Sequence, residues 1–267
     1  MQQGHIQHAP LAGVPGGWRV AIANPGRLNA MSRAMWRELR AAFEQINAEV
    51  GARCVLVEGD GAAFCAGGDI SEYPAFRFDE AALREFHETD VWGALAAMLA
   101  CDVPVVAGIS GACMGAGVEI ASCCDIRIAG ATARFGAPIA RLGFPMAPRE
   151  AHLVAGALGD AVARQMLLEA ALFSAADMQA CGFLARVVPP EAVAPEARAA
   201  AARTAALAPQ AARLNKQTLR ALKSPSTLAG YAQAAMENIV DGAYAYADSA
   251  EHREGISAFL AKRPPAF

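Results

Sequence analysis

Glu119 is the residue in this chain best placed to move a proton. It stands in the run Ser110-Gly111-Ala112-Cys113-Met114-Gly115-Ala116-Gly117-Val118-Glu119-Ile120-Ala121, just inside an apolar helix that follows a loop of small residues. Small side chains at Gly115, Ala116 and Gly117 let a ligand approach the backbone. The first turn of a helix also presents unpaired N–H groups to developing negative charge, which is the layout of an oxyanion site. Among Val118, Ile120 and Ala121 an unpaired carboxylate is expensive, since burying even a neutral polar group without a partner costs roughly 2–7 kcal/mol. Burial should therefore raise the pKa of Glu119, and a raised pKa suits proton transfer. A buried glutamate satisfied by a neighbouring Arg or backbone group gives the same local pattern, so this segment alone leaves both readings open.

A second backbone-exposing loop, Ala66-Gly67-Gly68-Asp69, follows the compact segment around Phe64 and Cys65 and leads into Ile70. Either loop alone is commonly just a tight turn. If the two face one another, one N–H from each can grip a single carbonyl oxygen and stabilise an enolate or tetrahedral oxyanion, worth about 2.7–4 kcal/mol per donor.

The elements that must position these loops alternate between strand and helix. Residues 18–24 read as a strand closed by Pro25-Gly26, after which Ser32 caps a helix carrying Met35, Leu39, Phe43 and Ile46. A second strand spans 53–58 and ends at Gly59-Asp60-Gly61. There follow a helix over about 80–100, a buried strand at 103–109, the Glu119 helix, and short strands near 125–129 and 133–135. This alternation predicts an α/β core. Helical patterns dominate from Pro148 onward, interrupted by the apolar run 184–188. The Ala-rich run 192–212 reads as a plain helix anchored by apolar residues such as Val193 and Leu207. The start of the chain, with His5 and His8 among Gly and Pro, reads as mobile.

The 267 residues, 55% hydrophobic and 18% charged, suffice for one domain or one domain with an appendage. A net charge of −3 offers no electrostatic footprint for nucleic acid, and a small molecule is the expected partner. No signal-like segment or membrane-length apolar run is evident, which gives the expectation of a soluble cytoplasmic protein. The seven cysteines form no Cys-x-x-Cys pair and read as small core residues, and the five histidines form no helical metal pair, so no metal is expected.

The motifs taken together resemble the crotonase (enoyl-CoA hydratase/isomerase) superfamily from about residue 18 to 267. The blocks that carry the resemblance occur in order: Asn24-Pro25 with Arg27-Leu28-Asn29-Ala30-Met31-Ser32; Phe64-Cys65-Ala66-Gly67-Gly68-Asp69-Ile70; Gly111 through Glu119; and Cys124-Asp125-Ile126-Arg127-Ile128-Ala129. The closing Glu254-Gly255-Ile256, Ala258-Phe259 and Lys262-Arg263-Pro264 with Phe267 resemble the family's final helix and tail.

The resemblance implies a spiral of ββα units binding acyl-CoA over residues 1–200. It also implies a C-terminal helical region over 201–267 that mediates assembly into homotrimers or homohexamers. No separate cofactor is implied, since coenzyme A arrives as part of the thioester substrate. By the same resemblance, the N–H groups of Gly68 and Ala116 form the oxyanion hole, with Ala116 at a position that is usually Gly. Arg27, Leu28, Ala30, Ala66, Gly68, Asp69, Ile70 and Ala116 line the CoA ester, although Asp69 is equally readable as a helix cap. Glu119 aligns with the first of two glutamates that position and activate water in the family's hydratases. The second would follow Pro138, where this chain has Ile139.

Hydration needs a proton delivered to Cα and a hydroxide equivalent to Cβ, tasks that paired carboxylates divide. With Ile139 in place, the expected activity is that of an enoyl-CoA hydratase-like lyase working with a single glutamate. Isomerisation, decarboxylation or hydrolysis of an acyl-CoA, and a non-catalytic acyl-CoA binder, stay open as alternatives. Arg141, Arg149 and Glu150 lie near Ile139 and could return a polar group to the pocket, against the plainer reading of a surface salt bridge. A serine hydrolase built on Ser110 lacks the Gly-x-Ser-x-Gly elbow, and Gly115-Ala116-Gly117 lacks the third glycine of a dinucleotide fingerprint.

Overall fold

The computed structural model describes residues 3–222 together with 250, 254, 258, 261–263, 265 and 266. The chain opens with strands β1 (His5–Pro10) and β2 (Gly17–Ala23), followed by helix α1 (Arg33–Ala48) and strand β3 (Cys54–Gly59). A 3-10 turn, Ile70–Ala75, precedes one continuous helical arm. Its parts are α2 (Glu80–Glu85), a π-helical turn Phe86–Val91, and α3 (Trp92–Ala100). Next come β4 (Val105–Ile109), β5 (Ala112–Met114), α4 (Ala116–Ser122), β6 (Ile126–Gly130) and β7 (Arg134–Gly136). A 3-10 turn at Pro138–Leu142 leads to α5 (Pro148–Leu158), α6 (Asp160–Leu168), β8 (Leu172–Ser174), α7 (Ala175–Ala180) and β9 (Arg186–Val188). A short turn then gives way to α8 (Val193–Ala205) and α9 (Pro209–Leu222).

Among the described residues, six strands form the main sheet in the order β1-β2-β3-β4-β6-β9, antiparallel only between β1 and β2, and a second sheet has the order β5-β7-β8. The parallel strands are apolar on both faces because both are covered. Val55 and Val57 of β3, with Val105 and Ala107 of β4, pack towards α1 and α3 in the larger core. Cys54, Leu56, Val106 and Ile128 face the opposite way onto Ala197, Ala200 and Ala201 of α8. Period-two alternation thus splits each strand between two helical layers. The α1 stripe Met35, Leu39, Phe43 and Ile46 is fully buried, and Ser32 accepts a hydrogen bond from the Met35 N–H at 3.2 Å as its N-cap.

Three expectations are corrected. The start of the chain is a strand: Ile6 pairs with Ile22, buries its side chain, and donates its N–H to Glu38 Oε2 at 2.7 Å. The available edge of β2 recruits it despite a weak local pattern. The run 192–212 is two helices, because Pro209 has no N–H to continue α8 and disfavours helical geometry at Ala208, so it starts α9 instead. The helix over 80–100 is interrupted by the π turn. Strand β8, only three residues long, adds an element to those expected from sequence.

Six of the seven cysteines are buried and all are free thiols. Among the described residues no helix is long and apolar enough to cross a membrane, and no group of metal-ligating side chains gathers. Most of the expected helical region over 201–267 lies outside the described residues, as do Gly255, Ile256, Phe259, Pro264 and Phe267 of the closing motif.

Candidate active site

The two small-residue loops lie side by side. The Cys65 N–H donates to Ala112 O and the Met114 N–H to Cys65 O, both at 2.9 Å, so the first loop is bonded to β5 just before the second loop begins. Gly115 then turns with φ 47° and ψ −109°, and Gly67 has φ 117°, conformations that side chains rarely adopt. A Cβ at Gly115 would lie 3.7 Å from the Gly67 Cα. Neither the Gly68 N–H nor the Ala116 N–H donates to another group among the described residues. Ala116, the first residue of α4, is 6% exposed, so its methyl is accommodated by packing.

Close packing at Gly117 fixes the distance between the loops. A Cβ there would lie 2.5 Å from the Cys65 carbonyl oxygen, a backbone atom held by Met114. Gly117→Ala is expected to cost about 1–3 kcal/mol through overpacking. Gly156→Ala, on α5 where a Cβ meets nothing within 4 Å, should leave stability unchanged or improve it by about 0.4–1 kcal/mol. Thermal unfolding of the two variants compares them, and equal melting temperatures would refute the packing account.

A third segment braces the first loop. Leu28 and Asn29 adopt left-handed conformations with φ 48° and 61°. The Asn29 side chain accepts from the Asn24 N–H at 3.0 Å and donates to Ala63 O at 2.7 Å and Asp60 O at 2.9 Å. The Ala66 N–H reaches Leu28 O, the Met31 N–H reaches Gly67 O, and the Asp69 N–H reaches Met31 O. Arg27 Nη1 is 2.5 Å from Asp69 Oδ1, which also accepts from the Ser71 N–H as the cap of the 3-10 turn. Asp69 is therefore both cap and ion-pair partner. Leu28 and Ile70 expose 59% and 53% of their surfaces on this brace. The structure thus brings Arg27, Leu28, Ala30, Ala66, Gly68, Asp69 and Ile70 together.

Glu119 sits in the first turn of α4, its N–H bonded to Gly115 O at 3.0 Å, and every residue of that helix is buried. Its carboxyl makes no hydrogen bond among the described residues. Burial, reinforced by the nearby Glu150 carboxylate, pushes its pKa up to about 8, well above the ordinary carboxylate range.

Three neighbours join the site that sequence reasoning either misses or leaves open: Glu150, His87 and Tyr73. Glu150, on α5, is 1% exposed, and its Oε1 lies 3.3 Å from His87 Nδ1 in the π turn. The surface salt bridge in this region belongs to Arg149, whose Nε lies 2.9 Å from Glu88 Oε2. Arg141 instead donates to Ala170 O. Tyr73 places its hydroxyl directly against the Gly68 Cα hydrogens, with Phe76, Phe86 and Phe144 around its ring. Burial raises the Tyr73 phenol above its usual range. Of the three, only Glu150 carries a usable sequence signal, its nearness to Ile139. Ile139 itself lies on the Pro138–Leu142 turn, which follows a strand end whose Gly136 O accepts the Gly115 N–H.

A family model for enoyl-CoA hydratase/isomerase matches residues 18–267. A probable enoyl-CoA hydratase of Mycobacterium bovis is 30% identical over 248 residues, covering 93% of each chain. One from Rhodobacter capsulatus is 33% identical over 251 residues, again 93% of each. Among solved structures, an enoyl-CoA hydratase/carnithine racemase from Magnetospirillum magneticum superposes with a TM-score of 0.91 at 34% identity, covering 100% of this chain and 96% of that one. An enoyl-CoA hydratase of Mycobacterium smegmatis gives 0.85 at 25% identity, with 98% of each covered.

Proposed function

Because this chain belongs to the enoyl-CoA hydratase/isomerase family and has its crotonase-type α/β fold, we propose that it hydrates a 2-enoyl-CoA through an enolate, with Glu119 as the acid/base group. The observation that carries this reading is a buried carboxyl without a hydrogen-bond partner among the described residues, in the first turn of α4, beside two loops whose Gly68 and Ala116 N–H groups donate to nothing else among those residues.

In this reading the thioester carbonyl oxygen accepts from both N–H groups, which stabilise negative charge as it develops there. In the molecules in which Glu119 is ionised, a fraction that grows as pH rises towards 8, its carboxylate takes a proton from water as the water oxygen bonds to Cβ. The π electrons of the Cα–Cβ bond move onto the carbonyl oxygen. Collapse of the enolate then takes the proton from Glu119 to Cα, so water is added and the carboxylate regenerated. Arg27, Leu28, Ala30, Ala66, Asp69 and Ile70 form the wall for the CoA portion, with the Arg27 guanidinium suited to phosphate and the exposed Leu28 and Ile70 to the adenine or pantetheine. Assembly as a homotrimer or homohexamer belongs to the same proposal, and light scattering reads it.

The test is the loss of enoyl absorbance when purified protein meets crotonyl-CoA and a longer 2-enoyl-CoA. Steady loss with formation of the 3-hydroxyacyl-CoA supports hydration. Tight binding of both esters without turnover of either would refute it and favour a non-catalytic acyl-CoA binder.

A further inference from the structure

We propose that the second carboxylate of this site is Glu150, delivered from α5 and oriented by His87, and that it acts as a positioning residue whose charge beside Glu119 sets how readily that carboxyl gives up its proton. The inference rests on the reading of Glu119 as the acid/base group, and it moves the second acid from the turn occupied by Ile139 to a different element.

The π turn carries two kinds of partner for a buried acid, and the contrast between them is informative. Asp90 is 2% exposed and fully compensated, because Arg33 Nε and Arg37 Nε approach its two oxygens at 2.7 Å each. That is a structural ion-pair cluster. Glu150 is buried as deeply but has only His87, and its Oε2 is a buried oxygen with no hydrogen-bond partner among the described residues. An unpaired buried carboxyl oxygen is costly and rare in native structures. Helix α5 packs directly on α4, which carries Glu119. The molecule thus holds two buried carboxyls on adjoining helices, and no Lys or Arg among the described residues pairs with either.

Among the described residues, the groups around the pair do not supply a neutralising charge. The π turn contributes His87, Glu88 held by Arg149, and Asp90 held by Arg33 and Arg37. Tyr73 comes from the 3-10 turn, Cys65 from the first loop and Cys123 from the end of α4, each sensing the Glu119 charge. Arg77 lies over the Tyr73 and Phe144 rings. A like charge on the adjoining helix makes ionisation of Glu119 harder and adds to the effect of burying that carboxyl. His87, 3.3 Å from Oε1, fixes the orientation of the Glu150 carboxylate. The His87 side chain is 22% exposed, so the arrangement is linked to solvent on its outer side.

Infrared titration of the full-length protein tests the pairing without requiring turnover. The protonated-carboxyl band of Glu119 is identified by its loss in Glu119→Gln. Glu150→Gln keeps the shape and removes the charge, and the Glu119 midpoint is expected to fall by about one pH unit or more. His87→Asn is expected to lower it in the same direction by less, and that variant changes a part-exposed side chain, so it decides the matter if Glu150→Gln does not fold. A midpoint unmoved in the folded variant refutes the pairing. If no enoyl-CoA is turned over but the midpoint moves, the pairing stands and hydration falls. If turnover persists with its pH profile and the Glu119 midpoint unchanged in Glu150→Gln, hydration stands and the pairing falls.

Discussion

Glu119→Gln protein is expected to bind an acyl-CoA ester as tightly as the unaltered protein and to turn it over about 10²–10⁴ times more slowly, the span typical of losing a positioned acid/base group. The amide has the same shape and, like the protonated carboxyl, is neutral, so the buried α4 helix and the two loops should keep their geometry. What it lacks is a proton to give and a site to receive one. The loss should therefore appear in kcat, with KM little changed, because the interaction removed is made chiefly in the transition state. Calorimetric binding of a saturated acyl-CoA, set beside steady-state hydration of crotonyl-CoA, separates the two quantities. Full activity in the variant would remove Glu119 from the mechanism, whereas equal losses of binding and turnover would make it a structural residue.

The second large effect concerns stability. Glu119 binds its proton up to about pH 8 in the folded protein, against an ordinary value of 4.5. Below the lower value both states are protonated and the full stability is present. Between the two the unfolded chain releases the proton and the folded chain does not, so stability declines as pH rises until the folded group also ionises. At about 1.4 kcal/mol per pH unit the decline is on the order of 4–5 kcal/mol across that window. Glu119→Gln removes this dependence. Its melting temperature is expected to approach that of the unaltered protein near pH 4.5 and to exceed it increasingly towards pH 8. Parallel melting curves with a constant offset would show that burial does not hold the proton on Glu119.

Local chemistry makes several features legible in the sequence alone. The Ser32 cap and the Met35, Leu39, Phe43 and Ile46 stripe are encoded within one helix, and that helix forms as read. Strand β3 is legible because Val55 and Val57 alternate within six residues. The Gly115 and Gly67 turns are legible because few residue types tolerate their dihedral angles. Glu119 stands out because a carboxyl between Val118 and Ile120 cannot be solvated where it stands.

Other features depend on partners far away in the chain. The first strand is held by β2 and Glu38, and its own residues, His5 to Pro10, carry almost no periodic signal. The π turn is one inserted residue in an otherwise helical pattern, and helical spacing over the whole arm hides it.

The family motifs, the alternation of strand and helix, and a glutamate among apolar residues just after one small-residue loop are thus written in the amino-acid order, whereas the meeting of that loop with the one at 66–69 is made by tertiary pairing. The contact of Tyr73 with Gly68 and the burial of Glu150 against His87 come instead from tertiary packing. His87 and Glu150 are 63 positions apart, and no local propensity relates two such residues. Their meeting is set by how α5 packs on α4 and by the turn that presents His87. The acid that Ile139 does not provide is therefore visible only after those helices have docked.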